Sequence, residues 1–168
     1  TSVPQVIREY HARVGETLEH SSPAAVVDIA KHYYAAGHSR IGKALDYCLK
    51  AAHASVRIFD LTQARLFAGR ARECADITGQ AGALEWDFLA IDCLEAHIAG
   101  VNRVSAAERA LDYIGRHPGS GVDRLIVAAR ACYDAGVESR DQRFFAEAAR
   151  LGELIVSRAE TPGGQAEG

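Results

Sequence analysis

The sequence predicts an all-α chain built as a stack of antiparallel helix hairpins, and three observations carry that prediction. Alanine dominates a composition of 48% hydrophobic and only 7% aromatic residues, and strand-type β-branched runs are missing. Small residues at helical spacing let helices approach closely. Apolar residues recur with the period of a helix face. Short phrases also return along the chain: Lys43-Ala44-Leu45-Asp46-Tyr47 as Arg109-Ala110-Leu111-Asp112-Tyr113, and Ala99-Gly100-Val101 as Ala135-Gly136-Val137. Recurrence on the scale of a helix pair marks a repeat whose units bury their apolar faces against one another.

Each helix has start and stop signals. The first is expected from about Pro4 to His20. Ser22-Pro23, a capping serine followed by a proline suited to the first helical position, opens the second, which stops at Gly37. Ser39 begins the third, to about Ile58, with Ile41, Ala44, Leu45, Cys48, Leu49, Ala52 and Val56 as its stripe. Asp60 caps the fourth, ending at Gly79. The fifth covers about Ala83 to Ala99, with Leu84, Phe88, Ile91, Leu94 and Ile98 on one face. Ser105 with Glu108 reads as a capping box for the sixth, and His117-Pro118-Gly119 ends it. Ser120 with Asp123 reads as another box for the seventh, closed by Gly136, with Val122, Leu125, Ile126, Ala129, Cys132 and Tyr133 as its stripe. Asp141 caps the eighth, to about Ser157. Short connections make neighbours antiparallel, in four hairpins: one–two, three–four, five–six and seven–eight. Residues 1–158 form the helical domain, and 159–168, polar and glycine-rich, form a disordered tail.

Composition excludes several function classes. A net charge of −3, with scattered arginines, argues against a dedicated nucleic-acid binder. No apolar run approaches the length of a membrane span, and no signal peptide opens the chain, so a cytoplasmic location is expected. The absence of methionine leads to the expectation of a segment cut from a longer polypeptide. Cys48, Cys74, Cys93 and Cys132 are expected as buried free thiols behaving as small hydrophobes.

Catalytic signatures are missing. There is no G-x-S-x-G, no P-loop and no G-x-G-x-x-G, and His117-Pro118-Gly119-Ser120-Gly121 reads as a turn between helices. Cys93 with His97 and Asp28 with His32 sit four apart, without a third and fourth metal ligand at recognisable spacing. His32 reads as a packing position. No enzyme activity, no cofactor and no metal are expected.

The hairpins resemble tetratricopeptide repeats, which place small residues where two helices cross and a glycine at the turn. Ala129, Gly136 and Ala146 fit this in the fourth hairpin, and Gly100 and Ala110 in the third. In the second, Ala52, Ala64, Ala68 and Ala71 fit, with Phe59 in place of the turn glycine. No unit carries the full tryptophan-leucine-glycine-tyrosine set. The stretch Ala30-Lys31-His32-Tyr33-Tyr34-Ala35-Ala36-Gly37, followed by Lys43 to Tyr47, Lys50-Ala51-Ala52 and Ala64 to Arg72, is similar to the helical-repeat region after the ATPase module of large bacterial signalling proteins. These are regulators related to the maltose activator and ATPase-coupled adenylate cyclases. The resemblance implies a right-handed superhelical stack. It also implies a non-catalytic interaction or sensing arm of a larger signalling or transcription-regulatory protein.

Superposing the hairpins suggests a concave groove made by the first helix of each pair. Asp46, Asp87 and Asp123 fall at matching places near helix starts, His53 matches Arg130, and His97 matches Tyr133. Such a groove suits an extended peptide or a helix with polar anchors. The competing reading of the aspartates is that they favour the positive ends of their helices. The repeat type's carboxylate clamp of lysines and asparagines is disfavoured, because Asn102 is the lone asparagine. Two further readings are a self-association module, with Trp86 as its exposed patch, and a small-molecule-sensing arm controlling an attached ATPase or effector domain.

Overall fold

The computed structural model describes residues 2–159, and the expected tail lies outside them apart from Ala159. Helices follow one another from end to end and pack as sequential antiparallel pairs. Each of the eight expected helices is present. Backbone contacts divide the chain into two compact units, Thr1–Ile91 and Asp92–Gly168, each described by itself below.

The first unit contains α1 (Val3–Ser21), α2 (Val26–Ala36), a short 3-10 turn (Gly37–Arg40), α3 (Ile41–Arg57), α4 (Leu61–Thr78) and the start of α5 (Glu85–Ala99). Its core is aromatic and alanine-rich: Ile29, Tyr33, Cys48, Phe67 and Cys74 are fully buried, among Ala30, Ala44, Ala51, Ala52, Ala64 and Ala71. Close approach of α1 and α2 depends on Gly15, where an added Cβ would stand 3.0 Å from the Tyr33 ring. Asp60 caps α4 as expected, its Oδ1 accepting from the Gln63 N–H at 3.0 Å, and Gly79 ends α4 in the left-handed region at φ 68°. Phe59 adopts φ 61° at the α3–α4 turn, the conformation a glycine would take without strain.

The second unit holds the rest of α5, α6 (Arg103–Arg116), α7 (Val122–Ser139) and α8 (Gln142–Ala159). Leu125, Ala128, Cys132, Ala135, Phe144 and Leu151 form its core. Asp141 caps α8, accepting from the Arg143 N–H at 3.0 Å.

Several local expectations are corrected. Ser22 and Pro23 precede α2 without capping it; its cap residue is Ala25, with no side-chain hydrogen bond. Ser39 sits in the 3-10 turn, and α3 starts at Ile41. The Ser105–Glu108 box does not form, because α6 begins two residues earlier, behind Asn102 at φ 59°. There the Arg103 guanidinium reaches back to the carbonyls of Ala96 and His97. Ser120 donates to the His117 carbonyl at 2.7 Å instead of capping α7. Gly136 does not close α7. It is buried inside it, where an added Cβ would meet the Phe145 ring at 3.0 Å, and Arg140 takes the left-handed position after the helix. Gly100, by contrast, has φ 69° and follows the last residue of α5. The two Ala-Gly-Val phrases are therefore not structurally equivalent.

Candidate functional site

The core stripe of α7 lies one step away from its expected course. Leu125, Ala128, Cys132 and Ala135 face inward, while Ile126 and Tyr133, both assigned to the core from periodicity, are 49% and 57% exposed. Val137 is 52% exposed, and Arg130 is exposed as well. Residues 126, 130, 133 and 137 are spaced four, three and four apart, so they form one continuous stripe along the helix. The stripe exists because alanine and cysteine suffice for the crowded inner face and leave the larger side chains outside. The Tyr133 ring is steadied by an edge contact with Phe145, centroids 5.8 Å apart at 76°.

Ile126 and Arg130 of this stripe also line a pocket of about 300 Å³ between α5 and α7, open to solvent on one side, within the second unit. Cys93, Leu94, Ile126, Val127, Arg130 and Ala131 line it. Arg130 is the only charged residue in that wall. The Cys93 thiol is buried, pushed up to about 12 by burial, and its sulfur donates weakly to the Ala106 carbonyl. It is a packing group and not a nucleophile.

The predicted site residues fall in both units. In the first, Asp46 lies in the second turn of α3 and pairs with Lys50 at 2.7 Å on an exposed surface. His53 is half-buried; burial lowers its pKa, opposed by the nearby Asp87 carboxylate. Asp87 lies in the first turn of α5, where a negative charge meets the positive helix end. In the second, Asp123 lies in the first turn of α7. His97 engages Asp134 of α7, Nδ1 to Oδ2 at 2.7 Å. No local signal in the sequence points to that partner, although Asp134 sits one turn beyond Arg130. With Asp134 held by His97, Arg130 has no ion pair among the described residues.

The four cysteines are free and buried as expected. His32 packs against His11, Nδ1 to Nδ1 at 2.9 Å. Trp86, expected to be exposed, is half-buried. Among the described residues, no group of three or more His, Cys, Asp or Glu side chains is placed to hold a metal ion, and no helix is long and apolar enough to cross a membrane. Comparison with protein-family models, curated proteins and solved structures gives no match.

Proposed function

We propose that the chain is a non-catalytic interaction module that binds a protein segment along α7. The observation that carries this reading is the exposed stripe Ile126–Arg130–Tyr133–Val137, three apolar contacts around one unpaired cation. Large aromatic and arginine side chains are the residue types that dominate binding energy at protein interfaces. A helical segment with apolar residues at matching spacing and an acidic residue opposite Arg130 fits the stripe. The tetratricopeptide-like superhelix, and a place within a larger bacterial cytoplasmic regulator of transcription or signalling, belong to this proposal through the resemblance of the 30–72 stretch. His97 and Asp123, in the same unit, are its secondary polar contacts.

The test is capture from a bacterial lysate with wild-type chain beside Arg130→Glu and Tyr133→Ala, read by mass spectrometry, followed by titration of the captured protein. Arg130→Glu is expected to weaken binding at least tenfold while shifting stability by less than about 0.5 kcal/mol, as for surface substitutions generally. Equal capture by all three chains removes the α7 assignment. Self-association is the second reading, favoured by exposed Val3, Val6, Ile7 and Tyr10 along α1. Sedimentation of the same samples removes it if the mass stays monomeric at every concentration.

A further inference from the structure

The cavity between α5 and α7 has a chemistry of its own. Its wall is apolar except for Arg130, since the Cys93 thiol is protonated and turned to the Ala106 carbonyl. A volume of about 300 Å³ stands at the small end of ligand pockets, which run from about 300 to 1,000 Å³. A guanidinium matches a carboxylate in a two-pronged hydrogen bond. The nearest acid along the helix, Asp134, is engaged by His97, so the charge of Arg130 is left for an incoming anion.

We infer that this pocket is a binding site for a small aliphatic monocarboxylate, its hydrocarbon chain on Leu94, Ile126, Val127 and Ala131 and its carboxylate on Arg130. The chain would gain by leaving water, in proportion to the apolar surface it buries. A dicarboxylate or a sugar would strand polar groups against this wall. The pocket shares Ile126 and Arg130 with the α7 stripe, but octanoate binding is read on the chain alone, without a protein partner, so its failure is distinguishable from failure of the stripe reading.

Calorimetric titration of the full chain with octanoate, and with 1-octanol as the uncharged control, tests it. Saturable binding of octanoate is expected, with 1-octanol at least tenfold weaker. Arg130→Gln should weaken octanoate about tenfold, the size of one lost charge-assisted hydrogen-bond pair, while leaving octanol unchanged. Val127→Phe, which fills the cavity and leaves Arg130 in place, should weaken both. Arg130→Lys, which keeps the charge without the fork, should fall between wild type and Arg130→Gln. Circular dichroism of each variant checks that helicity is retained. Absence of saturable octanoate binding to folded wild type at millimolar concentration overturns the inference. So does equal binding by folded Arg130→Gln, or octanol binding as tightly as octanoate.

Discussion

The same phrase is built into both units, and the two copies behave alike over one helical turn and differently beyond it. Lys43-Ala44-Leu45-Asp46-Tyr47 lies in α3, and Arg109-Ala110-Leu111-Asp112-Tyr113 in α6. In both, the alanine is fully buried and the tyrosine nearly so, at 7% and 6% exposure. In both, the aspartate pairs with a cation four residues on, Lys50 at 2.7 Å and Arg116 at 3.0 Å. That cation lies over the tyrosine ring, 4.7 Å from the Tyr47 centroid and 5.7 Å from that of Tyr113. The tertiary partners then diverge. Tyr47 packs against Tyr33 at 5.6 Å, next to the Glu19 carboxylate, which accepts from Tyr33 and from Lys43 at 2.5 Å each. Tyr113 stacks on His117 at 4.1 Å, and its hydroxyl accepts from Arg124 at 2.8 Å. The phrase thus encodes a helix surface one turn long and does not mark a register in a repeat. One copy answers to a carboxylate, the other to a guanidinium.

The largest expected effect breaks the shared part. Tyr47→Ala and Tyr113→Ala each empty a buried aromatic position, and each should cost about 3–5 kcal/mol. Urea unfolding followed by circular dichroism measures both. A loss under about 1 kcal/mol at either position would show that its ring is a surface cover and that the two copies are not alike even locally.

The next effect sharpens the difference, through acid. The hydrogen bond from Lys43, then that from Tyr33, holds the Glu19 carboxyl near 2, against an ordinary 4.5. Its folded value is depressed, so between the two the unfolded state binds more protons. The stabilisation is whole above pH 4.5 and is lost as pH falls through about 2. His32 and His53 act earlier. Burial lowers both, aided at His32 by the His11 charge, so each favours the folded state when neutral and gives that up as pH drops below 6.5. Around Tyr113 the partner is the Arg124 guanidinium, where Tyr33 has the Glu19 carboxylate. Amide exchange measured residue by residue between pH 7 and pH 2.5 should show α2 and α3 losing protection before α6. Simultaneous loss would show that the Glu19 cluster contributes nothing specific to its unit.

Helix positions were legible because their signals are local. Asp60, Gly79 and Asp141 act on backbone within a few residues, and each does what its position implied. The serine boxes failed for local reasons of another kind: Ser120 donates to the His117 carbonyl, and α6 starts at Arg103, whose guanidinium reaches the carbonyls at the end of α5, which leaves Ser105 inside the helix. The face of α7 was misread by one step because its inner side is packed with alanine. A periodicity weighted toward large residues then follows Ile126 and Tyr133 to the wrong side. Arg130 and Tyr133 were nonetheless picked out by superposing hairpins, whereas Val137 and Asp134 were not. A rule that assigns the crowded face to the smallest residues, Ala128, Ala131 and Ala135, would have found the whole stripe. Tertiary partners such as Glu19 for Lys43, or Asp134 for His97, come from elements far apart in sequence and leave no periodic trace.

The smallest expected effect concerns the ion pairs that make the two phrases look alike. Lys50 and Asp46 are each 53% exposed, and Arg116 and Asp112 are 48% and 68% exposed. Water screens such pairs, and an i,i+4 pair on a helix contributes only about 0.3–0.5 kcal/mol. Both pairs also place the acid before the base, the orientation that the helix dipole favours. Lys50→Ala and Arg116→Ala should therefore lower stability by similar small amounts, and the difference from wild type should shrink in 1 M salt, where screening reaches within about 3 Å. A residue that persists in high salt would belong to the cation's contact with the tyrosine ring, a packing effect that salt does not remove. Lys50 stands closer to its ring than Arg116 does, so α3 should retain more of its loss in salt than α6. The reverse order would mean that the planar guanidinium, and not the distance, sets the strength of the ring contact.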